Sequence, residues 1–474
     1  MSILDYGGFD DDPEDEERRR EHFEEELSRF REMLKDKSPD ITNVEALEEI
    51  VAYYMDQEKY EDALHFVVQI LSLIPYSSEN WHRKGIILNN LLRHDEALEC
   101  FERALQENPV DPELLINKGI TLDDLGRSGD AIACFDQALT VDPGNMEAQF
   151  NKGAALEKAG RYVEAIALFK SILDVDPSHK DAWYELGYCH DYLDKPSESF
   201  RCYEQHLRLD PFNHNAWYNR GIVLNRMMQP HRAIESYELA LAIHPEFAAA
   251  WYNKGNALAN LGRLHDAISC YHETLRLEPK DVPAWHNLGN AFEEMGDIAE
   301  AIRCFSEALT FDPNHYESYF GRGSCYDSID QARKALTDYN RALGICREYP
   351  ELWYAKADLL YNMGRVRESL LSYRMVTKLE PDNFEAWLDY GETLLELGYL
   401  KQALKAFDRS VDANPYSAES YYNRAKALIL MNRLYEAAES LKSSFQLDPE
   451  KRSAFEQDFP GAKGMKEFKS VLKK

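Results

Sequence analysis

The chain has 474 residues, a formal net charge of −30 and an isoelectric point near 4.9. That charge argues against nucleic acid and anionic membranes as partners, because both are held by Lys and Arg that displace counterions. The opening MSILDYGGFDDDPED has no basic start followed by an apolar run, and no later stretch approaches about eighteen apolar residues, so export and membrane spanning are not expected and the chain reads as cytoplasmic.

In chain order, residues 1–43 read as an acidic N-terminal tail and a capping helix whose apolar stripe is Phe23, Leu27, Phe30 and Leu34. From residue 44 the sequence echoes itself every 34 residues: AWYNKGNAL from Ala250 follows AWYNRGIVL from Ala216 and precedes AWHNLGNAF from Ala284. A fixed period of this size marks stacked supersecondary units, each touching only its neighbours. The column of Trp251 holds Leu47, Trp81, Leu115, Gln149, Trp183, Trp217, Trp251, Trp285, Tyr319, Trp353, Trp387 and Tyr421, which takes up all seven tryptophans. Residues 44–451 are therefore predicted to form twelve tandem repeats, followed by a C-terminal capping helix in 452–474.

Each repeat is predicted as two helices. Trp251, Lys254, Gly255 and Leu258 make one stripe at helical spacing, and Ala267, Tyr271 and Thr274 make a second stripe beyond a break at Gly262. The break column holds Gly126, Gly160, Gly262, Gly296, Gly364, Gly398 and Asn432, residues that end a helix cheaply in a left-handed conformation. Pro279 and its equivalents stop the second helix, Arg347 being the one replacement, with Pro350 three residues on. Gly255 and Ala267 are small where two helices cross closely, with Trp251 filling the space beside them.

Eight cysteines raise the question of disulfides, yet Cys100, Cys134, Cys202, Cys270 and Cys304 share one column. Equivalent sites on stacked helices lie at least about 8–10 Å apart, beyond the roughly 7 Å limit on Cα separation for a disulfide. All eight are expected to be free thiols, and without a Cys-x-x-Cys pair zinc is not expected either.

This pattern resembles the tetratricopeptide repeat, whose signature of Trp, Leu-Gly, Tyr, Ala, Phe, Ala and Pro is met by WHNLGNAF at 285–292 with Ala301, Phe305, Ala308 and Pro313. The resemblance implies an all-α fold, a right-handed superhelical solenoid of antiparallel helix pairs, with the first helices lining a concave face that meets extended peptides. On a helical wheel the columns of Ala249, Tyr252, Asn253, Asn256, Ala259 and Asn260 gather opposite the packed stripe. That face is acidic, its only cations being Arg83, Lys158, Arg226 and Lys426.

Asn117, Asn151, Asn215, Tyr218, Asn219, Tyr252, Asn253, Asn256, His286, Asn287 and Asn290 are the candidate peptide-binding residues. An Asn amide both donates and accepts, so a row of them suits the N–H and C=O groups of an extended peptide. Their column is similar to the asparagine ladder in the repeat arm of O-linked N-acetylglucosamine transferases, interrupted here by Glu185, Gly321, Ala355 and Asp389. The Lys that heat-shock chaperone adaptors of this family use to clamp a terminal carboxylate is missing from the Tyr252 column.

No Gly-rich phosphate loop, His-Glu-x-x-His or Gly-x-Ser-x-Gly is present, the fourteen histidines are scattered, and the flanks are too short for a catalytic domain. No enzyme activity and no cofactor are expected. The expected function is a protein–protein interaction scaffold or adaptor for basic or neutral peptides or proteins. The alternative is a regulatory or substrate-recruiting arm of an enzyme encoded on a separate chain.

Overall fold

The computed structural model describes residues 44–472; the tail and capping helix expected over 1–43 lie outside them. Among the described residues the regular structure is helical, with no strand. First helices of 13 residues alternate with second helices of 14, and the 34-residue period holds from Val44–Asp56 and Tyr60–Leu73 to Ala418–Leu430 and Leu434–Leu447. The chain divides into two compact units, one ending at Met227 and the other beginning at Met228.

Within the first unit the first helices from Val44–Asp56 to Lys180–Tyr192 each pack on the second helix that follows, and that helix packs on the next first helix, as Ser78–Asn90, His94–Glu107 and Pro112–Asp124 do in succession. The second unit repeats the scheme, for example with Ala248–Asn260, Leu264–Leu277 and Val282–Glu294. Side chains close the helix starts: Asp111, Asn145, Asn213, Asp281 and Asn383 each accept a hydrogen bond from a backbone N–H of the first turn. His179 and His315 do the same through Nδ1.

The predicted break column has the left-handed backbone that sequence suggested, with φ of 70° at Gly262 and 57° at Asn432. Glu58, Leu92, Asp194, Met228 and Asp330 adopt it too, at φ of 55 to 60°, where a side chain costs on the order of 1 kcal/mol. Gly255 is required by close approach: a Cβ there would stand 2.7 Å from Cε1 of the buried Tyr271 ring.

The tryptophans correct the expected packing. Gly255 and Leu258 are buried, but Trp251 is only half-buried and its Nε1 donates to the Pro245 carbonyl at 2.9 Å, tying the first helix to the turn before it. Trp353 makes the same bond to Arg347 at 2.8 Å, so the turn survives the loss of its proline. Lys254 lies over the Trp251 ring, 5.4 Å from its centroid, and pairs with Glu238 at 2.9 Å.

All eight cysteines are free, seven of them buried. Beyond the last repeat a helix over Lys451–Asp458 is followed by two 3-10 turns and a short helix over Lys469–Leu472, where sequence suggested one closing helix. Phe455 and Phe468, centroids 5.5 Å apart, are buried in the same cluster as Leu441 and Phe445 of the last repeat.

Candidate peptide-binding face

The Tyr-Asn stripe occupies the exposed to half-buried side of the first helices. Asn215 and Asn290 are exposed, and Asn117, Asn151, Tyr218, Asn219, Tyr252, Asn253, Asn256, His286 and Asn287 are half-buried. In two repeats the stripe sinks into the core: Ile116 of the Tyr252 column, and Tyr422 and Asn423, are buried.

A periodic bond links the repeats. Asn219 donates through Nδ2 to the Tyr184 hydroxyl at 2.9 Å, Asn117 to Nε2 of His82 at 2.8 Å, and Asn287 to the Tyr252 hydroxyl at 3.0 Å. In each case the acceptor lies 35 residues earlier. One function of the ladder is thus to join consecutive first helices. Asn287 also donates to Oδ1 of Asn256 at 2.9 Å, which accepts from the Tyr271 hydroxyl at 2.9 Å as well. Both Asn287 N–H bonds are thereby committed, and its Oδ1 is left as the acceptor it can offer a ligand. Asn290 donates to Nε2 of His286 at 3.1 Å, and Asn253 bonds locally to the Ala249 carbonyl at 3.1 Å. Asn256, Asn260, Tyr271, Asn287, Asn290 and Glu294 line one open hollow in the second compact unit.

The interruptions of the ladder have separate physical causes. At Gly321 a Cβ would stand 2.6 Å from Cζ of the buried Phe305 ring, so no Asn fits without displacing it. Asp389 accepts from the Tyr354 hydroxyl, keeping the link between repeats with its polarity reversed. Glu185 hydrogen-bonds to Glu157 of the preceding repeat, and burial, then the Glu157 charge, push its carboxyl up to about 8. Glu157 is raised mainly by burial and also accepts from the Cys189 thiol at 3.6 Å. Sequence reasoning missed this pair: both residues stood in variable columns, 28 positions apart, with no motif to join them.

Burial raises other carboxyls of the face, including Glu293, Asp358, Asp389 and Glu392. Burial, reinforced by His315, lowers His286 to about 4, so it is neutral at pH 7. The four cations of the face are all paired: Arg83 with Glu79, Lys158 with Asp123, Arg226 with Asp191 and Asp194, and Lys426 with Asp458. Among the described residues no cluster of His, Cys, Asp and Glu is arranged to hold a metal ion, and no helix is long and apolar enough to cross a membrane.

Family models described as tetratricopeptide repeat match residues 78–111, 117–178, 180–213, 248–281, 282–315, 316–349, 354–418 and 418–451. Among curated proteins nothing matches. Among solved structures, MamA is 25% identical over 34% of this chain and 94% of its own, with a TM-score of 0.34. YrrB, described as a TPR protein with an unusual peptide-binding site, is 23% identical over 40% of this chain and 98% of its own, with a TM-score of 0.36. The Cut9–Hcn1 hetero-tetramer of APC/C is 13% identical over 86% of this chain and 94% of that one, with a TM-score of 0.39. With most of its length matched repeat after repeat, the chain belongs to the tetratricopeptide-repeat family.

Proposed function

We propose that this chain is a non-enzymatic scaffold whose Tyr-Asn stripe binds an extended peptide of basic or neutral character. A tetratricopeptide-repeat chain supports protein interaction in general; the choice of face and partner is the proposal. The observation that carries it is the pairing of every cation on this face, which leaves amides, aromatic rings and carboxylates to meet a ligand. In the second compact unit Asn256, Asn260 and Asn290 border one hollow with Glu294, so a peptide backbone there meets amides and a cationic side chain meets a carboxylate. The acidic face disfavours nucleic acid. A cytoplasmic setting suits the free thiols, and the aromatic segment after residue 451 is proposed as the cap of the last repeat.

A pull-down from native lysate, followed by peptide mapping of the partner, identifies the bound segment. Changing Asn260 and Asn290 together to Ala is then expected to weaken that segment about tenfold with the melting temperature unmoved, because both residues are exposed. Undiminished affinity sinks the reading. Association is also expected to slow as salt rises, since surface charge steers encounters over roughly a Debye length. The alternative, an arm of an enzyme encoded on a separate chain, is distinguished by one stoichiometric enzyme in place of several unrelated partners.

A further inference from the structure

Five repeats share an ion pair on the tryptophan side of the molecule. A cation on the first helix meets a carboxylate sixteen residues earlier: Lys118 with Glu102, Lys152 with Asp136, Arg220 with Glu204, Lys254 with Glu238 and Arg424 with Asp408. In the repeats that begin at Pro350 and Phe384 this pairing fails in a particular way. The position sixteen before Lys356 is Asn340, and Tyr390 stands where a cation belongs, with Arg374 in the place of its carboxylate. Among the described residues no ion pair is made by Lys356, Arg374 or Lys378.

At the same place the second helix Val366–Leu379 carries Thr377 where each of the nine preceding repeats has Leu. The lost side-chain volume coincides with an open hollow of about 770 Å³ lined by Trp353, Leu371, Met375 and Trp387, with Lys356, Arg374 and Lys378 on its walls. Leu371 is 62% exposed. The single carboxylate in the lining, Glu368, is already paired with Arg365 at 2.7 Å. An apolar floor with three cations and no free carboxylate is unusual for a chain of net charge −30.

We propose that this groove is a second docking site, distinct from the Tyr-Asn stripe, for an acidic partner peptide bearing a bulky apolar side chain. The peptide's carboxylates take the place of those missing at positions 340 and 374, and its apolar side chain covers Leu371 and Met375 between the two indoles.

The probe is a short fluorescein-labelled peptide with two Phe among Asp and Glu residues, titrated into the full-length protein by fluorescence anisotropy. Saturable binding is expected, lost when the acidic residues become Lys or the Phe become Ala. Arg374→Asp and Asn340→Asp, which restore the carboxylates other repeats carry, are each expected to weaken the probe about tenfold. Asn340→Asp faces Lys356 and so reproduces the ion pair of other repeats, Arg374→Asp supplies the carboxylate opposite Tyr390 alone, and circular dichroism checks that helix content is kept in both. Asn260→Ala with Asn290→Ala is expected to leave probe binding unchanged, which separates this site from the proposed peptide face. No binding by the parent protein, or equal binding by both restored variants, overturns the proposal. It is also overturned if the probe binds only after Asp10, Asp11 and Asp12 are changed to Asn, which would make this chain's own acidic start the occupant. A dimer dissociated by the probe would instead make the occupant a second copy.

Discussion

The repeat over 180–213 and the repeats over 248–315 put the same columns of the same helix to opposite electrostatic use. In the first, Glu185 shares a hydrogen bond with Glu157, and burial keeps that carboxyl protonated well above its usual range. In the same repeat the Leu258 and Thr274 columns hold His190 and His206, both buried. In the second, Tyr252, Asn256, Tyr271 and Asn287 form a network with no ionised member, next to a neutral His286. A repeat scaffold therefore fixes where a side chain stands without fixing whether it carries charge. The neutral network offers the same hydrogen bonds at any pH near 7, whereas the carboxyl pair changes charge close to pH 8.

The sharpest way to break the comparison is to extend the amide column across its interruption. Gly321→Asn would restore a ladder residue, but its Cβ must displace the Phe305 ring. A loss of about 2–3 kcal/mol is expected in denaturant unfolding. An unchanged midpoint would mean that packing does not set where the ladder stops.

The carboxyl pair predicts a pH signature. The folded value of Glu185, pushed from 4.5 to about 8, means that the stability it contributes is whole below about pH 4.5 and is lost as pH rises through 8. Glu185→Gln keeps a donor for Glu157 and cannot ionise, so it is expected to stabilise the protein by about 1–2 kcal/mol at pH 9 and by little at pH 4. His286 has the opposite sign. Its value is lowered from 6.5 to about 4, so its contribution is whole above pH 6.5 and is lost as pH falls through 4. His286→Asn is expected to flatten that acid limb in a melting-temperature profile, and a parallel profile would remove His286 as its source.

Within the amide network the effect is smaller. Asn287→Ala removes the donor shared by the Tyr252 hydroxyl and Oδ1 of Asn256, and is expected to cost about 1 kcal/mol in thermal unfolding. Asn215→Ala, at an exposed position of the same face, is expected to cost less than about 0.5 kcal/mol. If the two variants melt alike, the ladder does not join the repeats.

Helix order, helix length and the left-handed breaks were legible in the sequence because each is a local consequence repeated twelve times. A period of 34, a glycine under the crossing helix in nine repeats and a glycine that ends the first helix in six leave a mark that recurs along the chain. Identity in a column could not reveal what a side chain bonds to across repeats. That Asn219 and Asn287 donate to tyrosines 35 residues earlier, that Gly321 yields to Phe305, and that Glu157 meets Glu185 were decided by tertiary structure alone. Such contacts arise from stacking, which brings together residues that no local rule relates and sets the burial that moves their protons.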